Sequence, residues 1–109
     1  MFIATELALK FVAAIRPIVE ATMPRDKDLA VQMRKASNSA ALNTAEGGRR
    51  RGGDRNHSFT VASAEADEAL VAARLAVAAG YVPERLLEPV LSSEDELQAV
   101  LWRLRHPRR

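Results

Sequence analysis

Residues 59–80 read FTVASAEADEALVAARLAVAAG, and the reading of this stretch decides the fold. Phe59, Ala62, Ala66, Ala69, Ala73, Ala76 and Gly80 recur at steps of three and four. That spacing places them on one stripe of an α-helix, and a stripe this long is the seam of a helical bundle. A second stripe, Val61, Val71, Leu75 and Ala78, lies partly on another face, so this helix is expected to be covered on two sides. Asp54 offers the N-cap and the helix is expected to span about 54–79, with Gly80 as its stop and Pro83 beyond.

Three further helices follow from the same periodicity. Leu7, Phe11, Ala14, Ile15, Ile18 and Val19 place one over about 5–21. Pro17 lies inside it and should kink it or end it early, because proline removes a backbone donor. A second helix over about 27–46 is capped by Asp26 or Asp28. It turns Leu29, Met33, Ala36, Ala40 and Ala41 or Thr44 inward, and Gly47-Gly48 is expected to stop it. The last helix covers about 83–105, with Leu87, Val90, Leu97, Val100, Leu101 and Leu104 on one face. Pro89 is expected to kink it, and Ser93 with Glu96 forms a capping-box pattern that would divide it. No alternating run argues for a strand. The expectation is one all-α domain over residues 1–109, an antiparallel up-down-up-down four-helix bundle.

Composition agrees. With 109 residues, 48% of them hydrophobic but only 5% aromatic, the chain supports a single core built from alanine and aliphatic side chains. Without cysteine there is no disulfide, thiolate nucleophile or cysteine-based metal site. The start, Met1-Phe2-Ile3-Ala4-Thr5-Glu6, lacks a basic region, and Lys10 and Arg16 interrupt the apolar stretch that follows. Neither a signal peptide nor a membrane span is expected, and the cytoplasm is the expected location. Net charge is only +2, yet Arg49, Arg50, Arg51 and Arg55 form one basic cluster and Arg103, Arg105, Arg108 and Arg109 another. Such ends permit an anionic partner without demanding one.

Catalytic and metal chemistry find little to work with. Glu65 and Glu68 share a helix face, but a di-iron bundle also needs Glu-x-x-His pairs, and neither His57 nor His106 has a glutamate three residues before it. No metal, cofactor or catalytic residue is assigned, and no enzyme is expected. The segment Gly47-Gly48-Arg49-Arg50-Arg51-Gly52-Gly53 reads as a flexible loop. It could hold phosphate through backbone N–H groups and arginines, or serve as a solvated connector. It follows no strand and lacks the P-loop lysine, and no aromatic interleaves with its arginines. Ser39, Asn43 and Glu46 form a polar line on helix two, read as hydrogen bonding between helices that fixes register, or as a binding site. Trp102 reads as core or interface.

With these residues placed, the chain resembles the bacterial four-helix-bundle proteins first noticed in intervening sequences of large-subunit ribosomal RNA genes. The accessory proteins of diversity-generating retroelements look like relatives of that group. The resemblance rests on residues 32–47, QMRKASNSAALNTAEG, which follow the pattern of Gln, a basic pair, Ala, then Ser, Asn and Ala-Glu-Gly, with an arginine-rich turn after it. Phe59, Glu68, Ala76 and Gly80-Tyr81 fall where that family has an aromatic, an acid, an alanine and a Gly-Tyr pair. Where the family has Gly-Ser before the acid of helix three, this chain has Ala64-Glu65.

The resemblance implies a left-handed antiparallel bundle that assembles as a homopentamer and is no enzyme. It also implies structural roles for Ser39, Asn43, Glu46, Gly47 and Glu68, and a candidate basic surface of Arg34, Lys35, Arg49, Arg50, Arg51 and Arg55. The function expected is a homo-oligomeric scaffold or adaptor that contacts RNA, DNA or a nucleic-acid-handling protein. The alternative is a structural or protein-interaction module with no nucleic-acid role.

Overall fold

The computed structural model describes residues 2–108. Four helices, α1 (Ile3–Thr22), α2 (Lys27–Arg49), α3 (Gly52–Ala78) and α4 (Leu87–Arg105), form an antiparallel bundle with no strand among the described residues. One short 3-10 turn, Glu84–Leu86, precedes α4. Each helix packs on its chain neighbours, α1 closes the ring against α4, and α1 and α3 barely touch across the diagonal.

The core has two halves. From α1 and α4 come the bulky side chains Phe11, Ile15, Ile18, Val90, Leu97 and Leu101, all buried. Between α2 and α3 the contact is mostly alanine: Ala36 and Ala40 meet the seam Ala62, Ala66, Ala69, Ala73 and Ala76, all buried. Side chains this small let two helix backbones approach closely, so the longest helix pairs most extensively with α2. Phe59 heads the seam and is fully buried, as the periodicity predicts.

Local signals account for several ends. Asp26 Oδ1 accepts the Leu29 N–H at 3.0 Å, so Asp26 rather than Asp28 caps α2. Gly80 adopts φ +79°, and the Tyr81 N–H reaches back to the Ala76 carbonyl at 3.0 Å, a left-handed stop to α3.

Other expectations are corrected. Pro17 does not end α1; Ala13 and Pro17 both lie on the solvent face, where the carbonyl that loses its donor is open to water. Pro89 falls in the first turn of α4, where a missing N–H costs nothing. Ser93 caps no second segment; it is buried inside a continuous helix and its Oγ donates to the Val90 carbonyl at 3.3 Å. Gly47-Gly48 does not stop α2, which runs on to Arg49. The expected seven-residue loop shrinks to Arg50 and Arg51.

Candidate nucleic-acid interface

The passage of α2 through two glycines has a packing cause. A Cβ at Gly47 would lie 2.5 Å from Phe59 Cε1, and one at Gly48 would lie 2.7 Å from Phe2 Cδ2. The two rings, themselves stacked with centroids 6.2 Å apart, occupy the space that side chains would need. Glycine is therefore present for close approach, and the cost in helix propensity is offset by packing both aromatics, Phe59 fully buried and Phe2 half-buried. The chain then turns through Arg50 and Arg51, and Gly52 takes φ +60° to open α3.

This turn gathers charge. Glu46 binds Arg49 Nη2 at 2.7 Å and Arg50 Nη2 at 2.6 Å. Hydrogen bonds from Arg50 and then Arg49 hold the Glu46 carboxyl below its ordinary range. Arg55 lays its guanidinium over the Phe59 ring, 5.1 Å from the centroid. Arg51 is exposed and forms no ion pair among the described residues. Asp54 sits in the first turn of α3 instead of capping it, so that helix start already carries a carboxylate.

The other sequence-derived candidates lie elsewhere. Arg34 and Lys35 are about 22 Å down α2 from Arg49, at 1.5 Å per residue. Arg34 borders a groove of about 520 Å³ between α1 and α2, floored by Val12, Ile15, Val19 and Met23. Lys35 borders one of about 490 Å³ on the opposite side of α2, beside Glu65 and Glu68. The polar line on α2 bonds within its own helix instead of across to a neighbour: Asn43 Nδ2 donates to the Ser39 carbonyl at 2.9 Å and to Ser39 Oγ at 3.1 Å.

Tertiary structure adds groups that the sequence did not associate with this turn. Ser63 Oγ donates to Gln98 Oε1 at 2.6 Å, and Gln98 Nε2 donates back to the Ser63 carbonyl at 2.8 Å. Glu94 faces Asp67 while Gln98, later in α4, faces Ser63, earlier in α3, so the two helices run antiparallel and the end of α4 lies toward the start of α3. Arg103, Arg105 and Arg108 thus share one end of the bundle with the arginine turn, whereas Arg109 lies outside the described residues. Trp102 is 56% exposed there, not core, and its ring stacks on His106 with centroids 4.2 Å apart and planes at 19°.

Glu94 is the other residue the sequence reading missed. It occupies the buried seam of α4 between Val90 and Leu97, only 7% exposed, and accepts from Gln98 Nε2 at 2.8 Å. Burial, and then a hydrogen bond with Asp67, pushes its carboxyl up to about 7. A glutamate at steps of four and three between two seam residues was the available signal. Among the described residues no three His, Cys, Asp or Glu side chains are grouped as a metal site would require. No helix there is long and apolar enough to cross a membrane.

No protein-family model matches the sequence, and no curated protein matches it. Among solved structures, the fold matches a protein of unknown function from the S23 ribosomal protein family of Bacteroides thetaiotaomicron VPI-5482. The TM-score is 0.82 at 17% identity, over 94% of this chain and 97% of the other. At that identity the likeness establishes the all-helical bundle fold.

Proposed function

We propose that this chain is a non-catalytic, homo-oligomeric helical scaffold or adaptor whose arginine-rich end contacts nucleic acid. One observation carries the reading: the antiparallel bundle brings Arg103, Arg105 and Arg108 to the same end as the arginine turn, some 50 residues away in sequence, on a molecule with little net charge. Concentrated positive charge attracts phosphate without reading sequence. The resemblance to bundle proteins of ribosomal RNA intervening sequences supports RNA as the first candidate, with DNA or a nucleic-acid-handling protein next. It also supports a pentameric assembly, and the start of the sequence, without signal-peptide character, supports a cytoplasmic location.

The test is binding of a fluorescent RNA to the full chain at 50 and 200 mM salt. Affinity should fall steeply with salt, and replacing Arg49, Arg50, Arg51 and Arg55 by alanine should weaken binding and flatten that dependence. Salt-independent binding, or none, would exclude phosphate contact. A second reading, a protein-interaction module with no nucleic-acid role, is favoured by Val71 and Leu75, which are 56% and 54% exposed on the outer stripe of α3.

A further inference from the structure

The exposed Trp102–His106 pair at the basic end lies outside the hydrophobic core. Trp102 is the only tryptophan of the chain, and its indole stands in solvent beside buried Leu101. An exposed indole keeps a large aromatic surface available to a ligand or partner. The ring is also held in place. His106 stacks on it one turn later, and His106 Nδ1 lies 2.8 Å from the Trp102 carbonyl, which anchors the imidazole at the helix end. Arg105 Nε donates to the Leu101 carbonyl at 3.2 Å, tying down a second side chain of the same turn.

The surroundings are cationic. Arg103 adjoins Trp102 in sequence, and Arg105 and Arg108 follow. From the Ser63–Gln98 clasp, one helical turn brings Trp102 level with Phe59, about 10 Å along α3 from its start at Gly52. A flat aromatic pair is thus set among arginines, with the arginine turn close by on the same end. Polyanion-binding surfaces that take single strands combine these parts: cations for the backbone and an open π-face for an unpaired base. A duplex has no free base face to offer such a platform along its length.

We infer that Trp102, backed by His106, is a stacking platform for an unpaired base of single-stranded nucleic acid, whose phosphates lie along the neighbouring arginines. This rests on the nucleic-acid reading proposed above and narrows it to single strands.

Because Trp102 is the sole tryptophan, its fluorescence reports on the platform alone. The full chain is titrated with oligouridylate, with oligothymidylate, and with a duplex of the same length. The expected result is quenching by the single strands and little change with the duplex. Trp102→Ala should weaken single-strand binding about tenfold or more while leaving duplex binding and helicity unchanged, and Trp102→Phe should restore part of the loss. Salt-sensitive binding that neither quenches the indole nor responds to Trp102→Ala would overturn the platform while leaving the phosphate reading intact. No binding to any of the three would remove both. Emission of a buried indole in the free protein, with Trp102→Ala lowering its mass in solution, would assign the residue to a protein interface and overturn the inference.

Discussion

Gln98 Nε2 donates to Glu94 Oε2 at 2.8 Å, and the same nitrogen faces the Ser63 carbonyl at 2.8 Å and Asp67 Oδ1 at 3.2 Å. Two amide protons face three acceptors, two of which are carboxyl oxygens. Protonation of Glu94 relieves the shortage and keeps a buried negative charge from facing the Asp67 carboxylate. Asp95 on α4 adds negative charge, while Lys10 of α1 is engaged with Glu96 at 2.8 Å.

Stability should therefore fall with rising pH. The Glu94 carboxyl rises from its ordinary 4.5 to about 7 on folding, so between those values the folded chain binds more protons than the unfolded one. The contribution is intact below pH 4.5, is lost progressively up to about 7, and stays lost above. Glu94→Gln should remove that slope and stabilise the protein at pH 8 by about 2 kcal/mol. Urea unfolding of both proteins between pH 5 and 8 checks this, and a wild-type stability that climbs across the same range would refute it.

The glycines at the end of α2 should separate in a substitution series. Alanine in a helix interior gains up to about 1 kcal/mol over glycine. At Gly47 the new methyl meets the fully buried Phe59, which cannot yield, so Gly47→Ala should cost a net 1–3 kcal/mol, roughly. Gly48→Ala meets Phe2, half-buried at the chain end and able to shift, so its effect should be close to neutral. Gly53→Ala meets nothing within 4 Å and should stabilise slightly. Thermal unfolding ranks the three, and equal effects at 47 and 53 would contradict the packing account.

Glu46 restrains the basic end. Its carboxylate occupies Arg49 and Arg50, both of which are exposed. Glu46→Gln should tighten RNA binding and steepen the slope of log affinity against log salt by one to two, about one for each phosphate contact released to form. Unchanged affinity would mean that these two arginines do not reach the ligand.

The outer stripe of α3 should govern self-assembly. Val71 and Leu75 are one helical turn apart and both more than half exposed. Leu75→Glu should leave the helix content intact and reduce the mass measured by light scattering to that of one chain. A wild-type protein that is already monomeric, or a variant of unchanged mass, would exclude this stripe as the interface.

Local chemistry explains what was readable beforehand and what was not. The α3 seam from Phe59 to Ala76, the Asp26 cap and the Gly80 stop depend on residues within a few positions of one another, so periodicity and capping rules expose them. Gly47 and Gly48 read as a stop because glycine usually is one; the close packing that requires them inside the helix comes from Phe59 of α3 and from Phe2 at the N-cap of α1. Ser93 and Glu96 match a cap motif that the continuous α4 overrides once Ser93 is buried.

Four helices, their order and most of the residues on their buried faces were determined by the sequence itself, because a side chain's place on a helix follows from spacing alone. Tertiary structure decided which distant groups meet. The Ser63–Gln98 clasp sets the register of α4 on α3, and that register brings Trp102 level with Phe59, carries Arg103, Arg105 and Arg108 to the end that holds the arginine turn, and puts the Glu94 carboxyl against Asp67. Register is a relation between helices, set by packing and paired polar groups across the interface, and no repeat within one helix encodes it.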